Sequence, residues 1–308
     1  MTYKLALAAI GLVMITSAAQ AQLVFGHTYF SAAAPGTSGA FYLDVSSGNA
    51  QQLWTGANVS GSGNRRVNGL AADNQNSIIY GNSGARLYMW QFGTMGSVPA
   101  FINGFYRLGT DNITYATGVD GLAVANSKVY AYTNFNAGSG SVVEDGIYEV
   151  DTTVTTATAN MTLKWRHDDL AYNLQGIEYN DANGLFYAAN LSDANAKGIY
   201  TIDVFGTGAI TKIADFDPFV PTPDGLAVGG GHVWLTGNTS ASGTLRIAGF
   251  NLATGLYDEA FELTGLGTSS YASGATWAPN ALTPVPEPAT MATLALGAIA
   301  LLKRRKKV

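Results

Sequence analysis

Thr222-Pro-Asp-Gly-Leu-Ala-Val-Gly-Gly-Gly-His-Val-Trp-Leu-Thr236 contains the pattern that decides the fold, because its core, Asp224-Gly-Leu-Ala, recurs along the chain. Related strings are Asn68-Gly-Leu-Ala, Asp120-Gly-Leu-Ala and Gln175-Gly-Ile-Glu, with a weaker copy at Ser273-Gly-Ala-Thr. The glycines of the five strings stand at 69, 121, 176, 225 and 274, at spacings of 49 to 55 residues. A steady period of this length indicates an array of repeated structural units.

Each repeat continues with further short runs that have the composition of β-strands. Aromatic-bearing runs follow the first four strings, at Ser77-Ile-Ile-Tyr-Gly, Lys128-Val-Tyr-Ala-Tyr, Gly184-Leu-Phe-Tyr-Ala and His232-Val-Trp-Leu-Thr. The next runs begin at Arg86, Gly146, Gly198 and Thr244, and a fourth segment often follows, as at Leu163-Lys-Trp-Arg. Four short strands in every unit predict the blades of an all-β propeller.

The two ends of this region predict one shared blade. Leu23-Val-Phe-Gly-His-Thr-Tyr-Phe, Gly39-Ala-Phe-Tyr-Leu-Asp and Gln52-Leu-Trp have the pattern of a second, third and fourth strand without a first. Gly274-Ala-Thr-Trp has the pattern of a first strand without the rest. Their pairing would close the ring and remove open sheet edges. We therefore predict a propeller of about five blades over residues 22–280, with six blades as an alternative.

The composition excludes several chemistries. The 308-residue chain has no cysteine, so thiol catalysis, Cys-ligated zinc, disulfides and lipid attachment to a cysteine are all excluded. Six of the sixteen basic residues are Lys4 and the run 303–307, which leaves ten bases against twenty-one acids and a charge of about −11 between these ends. An acidic surface repels phosphate, so nucleic acid is not a predicted partner.

Residues 1–21 have the features of a secretory signal peptide. Lys4 supplies the positive start, an apolar stretch follows, and Ala19-Gln-Ala21 provides the small residues expected before a cleavage site. We predict cleavage between Ala21 and Gln22 and export of the mature chain.

The C-terminal end predicts a membrane anchor. Residues 281–288 form a proline-rich linker, residues 289–302 are apolar without a charge, and residues 303–308 form a basic tail. Fourteen helical residues reach about 21 Å, which is short of the bilayer core, but the basic side chains can snorkel and the bilayer can thin. We predict a short transmembrane helix with the basic tail in the cytoplasm.

This tail resembles the PEP-CTERM sorting signal of Gram-negative bacteria. The match consists of Val285-Pro286-Glu287-Pro288, the short apolar segment and the basic end, in that order. The resemblance implies an exosortase, a membrane-embedded peptidase, as a partner. It also implies a protein held in the inner membrane before processing and then found at the cell surface or outside the cell, in a setting of exopolysaccharide and biofilm.

The blade pattern around Asp224 is similar to that of the sugar-lactonase and strictosidine-synthase group of propellers. The resemblance implies divalent-metal ligands at Asn68 and Asp224, with Asp120 repeating the pattern. The chain departs from the group where Ser273 replaces an acidic ligand, and that group has six blades. A metal-dependent hydrolase of the lactonase type is therefore an alternative function.

The residue before each repeated glycine is polar: Asn68, Asp120, Gln175, Asp224 and Ser273. Equivalent positions in successive blades lie at equal height around the axis, so these side chains could offer oxygen ligands to a hard cation such as Ca²⁺. Alternatively, they cap a tight turn into the inner strand. We take Asn68, Asp120, Gln175 and Asp224 as the candidate metal site.

The remaining candidates do not support a catalytic assignment. His27, His167 and His232 fall on separate predicted strands without zinc-ligand spacing, and His167-Asp-Asp169 falls at the end of an outer strand. Nucleophile-elbow, phosphate-loop and dinucleotide motifs are absent from the sequence. The leading hypothesis is thus a non-catalytic binding or scaffold module of the envelope or matrix, with polysaccharide as a possible ligand.

Overall fold

The fold is all-β in the part of the chain that the structure, a computed structural model, describes. The described residues are 22–29, 39–55, 67–83, 86–94, 100–104, 106–107, 114–115, 119–133, 145–153, 160–167, 172–192, 196–239, 244–263 and 270–282. The predicted signal peptide and the predicted transmembrane helix lie outside these residues.

Five four-stranded antiparallel sheets, which we number as blades in chain order, account for twenty of the twenty-two strands. Blade 1 contains β4 (Leu70–Asp73), β5 (Ile78–Ser83), β6 (Arg86–Gln91) and β7 (Ala100–Gly104). Blade 2 contains β10 (Val119–Ala125), β11 (Lys128–Thr133), β12 (Gly146–Val150) and β13 (Met161–Arg166). Blade 3 contains β14 (Leu174–Asn180), β15 (Leu185–Asn190), β16 (Gly198–Ile202) and β17 (Ile210–Ala214).

Blade 4 contains β18 (Pro223–Gly229), β19 (His232–Thr239), β20 (Thr244–Asn251) and β21 (Leu256–Leu263). Blade 5 joins the two ends of the described chain, in the order β22 (Ser270–Trp277), β1 (Gln22–Tyr29), β2 (Gly39–Asp44) and β3 (Asn49–Thr55). The remaining strands, β8 (Tyr106–Arg107) and β9 (Thr114–Tyr115), have two residues each and pair antiparallel between blades 1 and 2 in the sequence. The described residues thus form five blades, and the six-blade alternative is not supported.

The shared blade confirms the predicted closure of the ring. Strand β22 pairs antiparallel with β1, and the register places Trp277 opposite Leu23 and Ala275 opposite Phe25. One blade therefore contains strands that are about 250 positions apart in the sequence. This pairing covers the inner edge of β1, which would otherwise be open to another chain.

The central axis is surrounded by the inner strands β4, β10, β14, β18 and β22. Neighbouring inner strands approach each other closely at their repeated glycines. A Cβ atom added to Gly121 would lie 2.7 Å from the backbone nitrogen of Ile177, and one added to Gly176 would lie 2.8 Å from that of Leu226. The contacts continue in the same direction around the ring, from Gly225 to Gly274, from Gly274 to Gly69 and from Gly69 to Gly121. Any larger side chain at these positions would push neighbouring blades apart.

The hydrophobic core is divided into layers between neighbouring blades. In the layer between blades 4 and 5, for example, Trp234 and Leu245 pack against Phe25 and Leu43. The residue after each repeated glycine, such as Leu122 or Leu226, belongs to one of these layers. The next residue, such as Ala123 or Ala227, belongs to a different layer, so the alternation of the inner strands supplies side chains to the layers on both sides of a blade.

The propeller has two different faces. The inner strands begin at the level of Asn68, Asp120, Gln175, Asp224 and Ser273, and we call this side the ring face. They end at short turns on the opposite side, which we call the turn face; the turns between first and second strands there are 74–77, 126–127, 181–184 and 230–231. None of the described segments is a helix with the length and apolarity needed to cross a membrane.

The packed region extends to the last described residues. Ala281 is fully buried, and its carbonyl oxygen accepts a hydrogen bond of 2.8 Å from the backbone N–H of Gly93. Two residues of the segment predicted as linker, Ala281 and Leu282, therefore contact the propeller.

Candidate functional site

Three of the four candidate ligands, Asp120, Gln175 and Asp224, lie within or next to β-bulges of the inner strands, and Asn68 lies two residues before β4. In β10 the pairing with β11 skips Asp120, and in β18 the pairing with β19 skips Asp224. In β14 the skipped residue is Gly176, immediately after Gln175. A bulge redirects a side chain and interrupts the ladder. Asp120, Gln175 and Asp224 thus belong to the inner strands themselves.

The structure brings all five polar residues to the same level. The glycine that follows each of them contacts the next inner strand, so Asn68, Asp120, Gln175, Asp224 and Ser273 form one circle at the ring face. Asn68, Asp120, Gln175 and Asp224 are all half-buried. We refer to these four residues as the polar ring.

The members of the circle differ in their existing hydrogen bonds. The Ser273 hydroxyl donates a short hydrogen bond to the carbonyl of Val67, so this position is already engaged. Gln175 Nε2 donates to Asn173 Oδ1 at 3.2 Å, which leaves its Oε1 as the ligand atom. The carboxyl groups of Asp120 and Asp224 have no hydrogen-bond donor among the described residues that would offset their burial.

The electrostatics of the two carboxyl groups follow from this lack of donors. Burial raises the pKa of Asp224 to about 6, and burial together with the nearby Asp145 carboxylate raises the pKa of Asp120 to about 6. Two acids in such surroundings gain from a bound cation, which replaces the missing water and donors.

A second group of polar and aromatic side chains adjoins Asp120 at the boundary of blades 2 and 3. Tyr132, on β11, is fully buried and its hydroxyl lies 3.1 Å from Nε2 of His167. The imidazole of His167 also packs against Trp165 and Tyr172, with ring centroids 5.4 and 5.5 Å away. Burial and the negative charges of Asp145 and Asp120 raise the pKa of Tyr132 far above its usual value, so its phenol stays neutral.

On the turn-face side of the polar ring, the side chain of one acid reaches across the interior of the ring of inner strands. Glu178 of β14 is only 4% exposed, and its Oε1 accepts a 3.2 Å hydrogen bond from the hydroxyl of Thr276 on β22. The strand β18 lies between β14 and β22 in the ring, so this contact passes through the interior. The Thr276 oxygen also accepts the backbone N–H of Ala72 at 2.8 Å, which links blades 3, 5 and 1.

Sequence reasoning missed Glu178, although the repeat contained a signal. Two residues after the glycine, the other repeats have Ala71, Ala123, Ala227 and Thr276, and only the third repeat has a long acid. A long acid at a position where three repeats have alanine is the signal that sequence reasoning could have used. Oε2 of Glu178 has no hydrogen-bond partner, and burial raises the pKa of this carboxyl group well above its usual range.

His167 and His232, the two histidines whose side chains the structure describes, lie in different blades and do not share a zinc site. His232 Nε2 lies 2.9 Å from Oδ1 of Asp258 and its Nδ1 lies 3.0 Å from the carbonyl of Gly230, at the opposite face from the polar ring. No cluster of three or more His, Cys, Asp or Glu side chains suited to a metal occurs among the described residues. The candidate polar ring combines two carboxyl groups with two amides, so it is a different kind of ligand set.

Comparison with known families identifies the C-terminal end. The model of the PEP-CTERM protein-sorting motif matches residues 284–307. This match confirms the predicted sorting motif at Val285-Pro286-Glu287-Pro288. The chain is therefore an exported protein that is anchored at the membrane before an exosortase processes it. A comparison with curated proteins finds no relative.

Several solved structures are similar to the chain at low sequence identity. A chain of a nidogen/laminin complex is 12% identical, with 83% of this chain and 98% of that chain covered and a TM-score of 0.48. TolB from Acinetobacter baumannii is 12% identical, with coverages of 84% and 66% and a TM-score of 0.47. A candidate 6-phosphogluconolactonase from Bacteroides uniformis ATCC 8492 is 11% identical, with coverages of 82% and 99% and a TM-score of 0.41.

Proposed function

We propose that the propeller of this exosortase-sorted protein is a non-catalytic binding module of the cell envelope, and that the polar ring is its cation-dependent binding site. The observation that carries the proposal is the pair of buried carboxyl groups, Asp120 and Asp224, without donors at the ring face. A Ca²⁺ ion would take one oxygen from each of these carboxylates and one each from the Asn68 and Gln175 amides.

The ligand class follows from the coordination of such an ion. Ca²⁺ takes roughly six to eight oxygen ligands, and the polar ring supplies four side chains. The coordination positions that the four side chains leave open would lie on the ring face, where water or the hydroxyl groups of a polysaccharide would fill them. We therefore propose surface polysaccharide as the ligand, with the ion as the bridge.

Thermal unfolding with and without Ca²⁺ tests the site. We expect a hundredfold excess of Ca²⁺ over Kd to stabilise the exported protein by about 2.7 kcal/mol, because the ion binds only the folded chain. The variant D120N/D224N should lose this gain and should be at least as stable as the wild type without the ion. Lowering the pH from 7.5 to 5 should also remove the gain, because both carboxyl groups then bind protons.

The matched control is E259Q/E262Q, which removes two charges from the outer strand β21 and leaves the polar ring intact. It should keep the full Ca²⁺-dependent gain. Equal melting temperatures of the wild type in chelator and in excess Ca²⁺ would show that the polar ring holds no cation.

A metal-dependent hydrolase is the second candidate, and one observation favours it. A carboxyl group with a pKa of about 6 can act as a general base near neutral pH, and Asp120 lies close to Asp145 and Tyr132. The Ca²⁺-loaded samples can be assayed with sugar lactones. Hydrolysis by the wild type that D120N abolishes would replace the binding function with an enzymatic one.

A further inference from the structure

Both ends of the folded body lie at the turn face. Strand β22 runs from Ser270 at the ring face to Trp277 at the turn face, and β1 begins beside it, with Leu23 opposite Trp277. The backbone N–H of Ala278 donates a 3.0 Å hydrogen bond to the carbonyl of Gln22. The residue that follows the predicted signal peptide and the residue that follows the last strand are therefore direct neighbours.

The point at which the C-terminal segment leaves the propeller is fixed by contacts with blade 1. Asn74 Nδ2, in a turn at the turn face, donates a 3.0 Å hydrogen bond to the carbonyl of Trp277. Gly93, just after β6, holds Ala281 through its backbone N–H, and the side chain of Leu282 packs against the same cluster. The chain is thus attached to the turn face up to residue 282.

We infer that the anchored protein presents its turn face to the membrane and to the peptidase, and that the polar ring opens away from the bilayer. The inference rests on one prediction from the sequence, the insertion of residues 289–302 into the membrane. Only residues 283–288 separate Leu282 from that segment, so the seven Cα–Cα steps from Leu282 to residue 289 span at most about 25 Å. The seven-residue inner strands are about 20 Å long, so a linker that placed the ring face on the membrane would be almost used up in running the length of one strand, which leaves too little for the path around the side of the propeller.

The charge of the turn face indicates that the short linker, rather than adhesion, sets this orientation. Asp44, Asp73 and Asp203 cap turns on this face with their carboxylates. Such a surface is repelled by anionic lipid. An orientation imposed by the linker should not depend on salt, whereas one based on surface charge would change with ionic strength.

This orientation has a consequence for processing and binding. The peptidase would approach the segment 283–288 from the turn face, on the side opposite the polar ring. A polysaccharide could therefore occupy the ring face of the anchored protein before its tail is cut.

The absence of cysteine makes the orientation directly measurable, because each introduced cysteine is the only site of labelling. The variants T254C and T222C place a fluorophore at exposed positions of blade 4, the first in a turn at the turn face and the second just before β18 at the ring face. The full-length chain is reconstituted in vesicles that contain a headgroup-nitroxide lipid. We expect several-fold stronger quenching at position 254 than at position 222, at low and at high salt.

A variant with a long Gly-Ser insertion after Leu282 serves as the control, and its quenching at position 254 should fall to the level at position 222. Equal or reversed quenching in a chain that floats with the vesicles would overturn the orientation alone. A chain that does not float with the vesicles would contradict anchoring by the tail, and the orientation would fall with it.

Discussion

Glu178 shows how a single side chain can connect distant blades. Its carboxyl group lies inside the ring of inner strands, bonded to Thr276 and close to no cation among the described residues. A buried acid without a counter-charge is stable only in its neutral form, and the nearby Asp181 carboxylate adds to the rise of its pKa.

The protonation of Glu178 predicts a pH dependence of stability. Above about pH 4.5 the unfolded chain loses this proton while the folded chain keeps it, so the free energy of unfolding falls as the pH rises. The variant E178Q carries no titratable proton and keeps the shape of the neutral acid. Urea unfolding should show E178Q gaining on the wild type between pH 5 and pH 7.5.

Asp120 and Asp224 titrate in both proteins, so their effects cancel in this difference. The variant E178A serves as a comparison, since it leaves a cavity and should be less stable than E178Q at every pH. A stability difference between E178Q and the wild type that does not change with pH would contradict a neutral Glu178.

The inner strands owe their close approach to glycine. The repeated glycines let each inner strand contact its neighbour backbone to backbone, which a Cβ atom would prevent, and in β10, β14, β18 and β22 a bulge lies at or beside the glycine. The repeat of the sequence therefore records a packing requirement between blades rather than a turn. This requirement is the same in all five blades, whereas the polar residue before the glycine changes from blade to blade.

Substitution of one ring glycine should weaken the whole propeller. G121A would place a methyl group 2.7 Å from the backbone nitrogen of Ile177, and we expect a loss of about 3 kcal/mol in guanidinium unfolding. The control G255A has a positive φ of 69° but no atom within 4 Å of the added methyl group, so only backbone strain of about 1 kcal/mol applies. A smaller loss for G121A than for G255A would contradict tight contact at the glycine level.

The whole molecule combines a closed propeller with a sorting tail that leaves from one face. Deletion of residues 287–308 removes the acid of the sorting motif, the apolar segment and the basic end, and it leaves the described propeller intact. We expect the truncated protein in the culture medium and the full-length protein in the envelope fraction of a strain without exosortase. Immunoblots of the fractions measure this distribution.

A full-length T283A chain controls for changes near the tail and should be retained like the wild type. Retention of the truncated protein to the same extent as the full-length protein would show that another part of the chain holds it in the envelope.

The sequence predicted the blades because each blade is a local unit. The strands after Asp224 and after the other repeats can be predicted from neighbouring residues alone. The split blade was predicted because the N-terminal runs lack a first strand and the C-terminal run lacks the other three. The repeat alone left six blades as an alternative, and the number became clear only from the pairing of the strands, which forms five four-stranded sheets among the described residues.

The site was only partly predictable, because its geometry depends on register and on contacts across the ring. The polar residues before the glycines were found from the repeat, but their position at bulges was not. Glu178 and Thr276 meet across the axis from strands almost one hundred residues apart, which no local pattern indicates. The contact between Tyr132 and His167 also depends on how two strands of one blade are aligned.

The position of β22 has a consequence for quality control during export. The strand β1 crosses the membrane first, and its partner β22 is the last strand to follow, so the inner edge of β1 stays uncovered through almost the whole of translocation. The sorting motif, within residues 284–307, follows β22 in the sequence. Any chain that is long enough to contain the sorting motif therefore also contains β22, the strand that closes the ring. A chain that terminates before β22 lacks both the closing strand and the sorting motif, and we expect its open sheet edge to expose it to proteases after export.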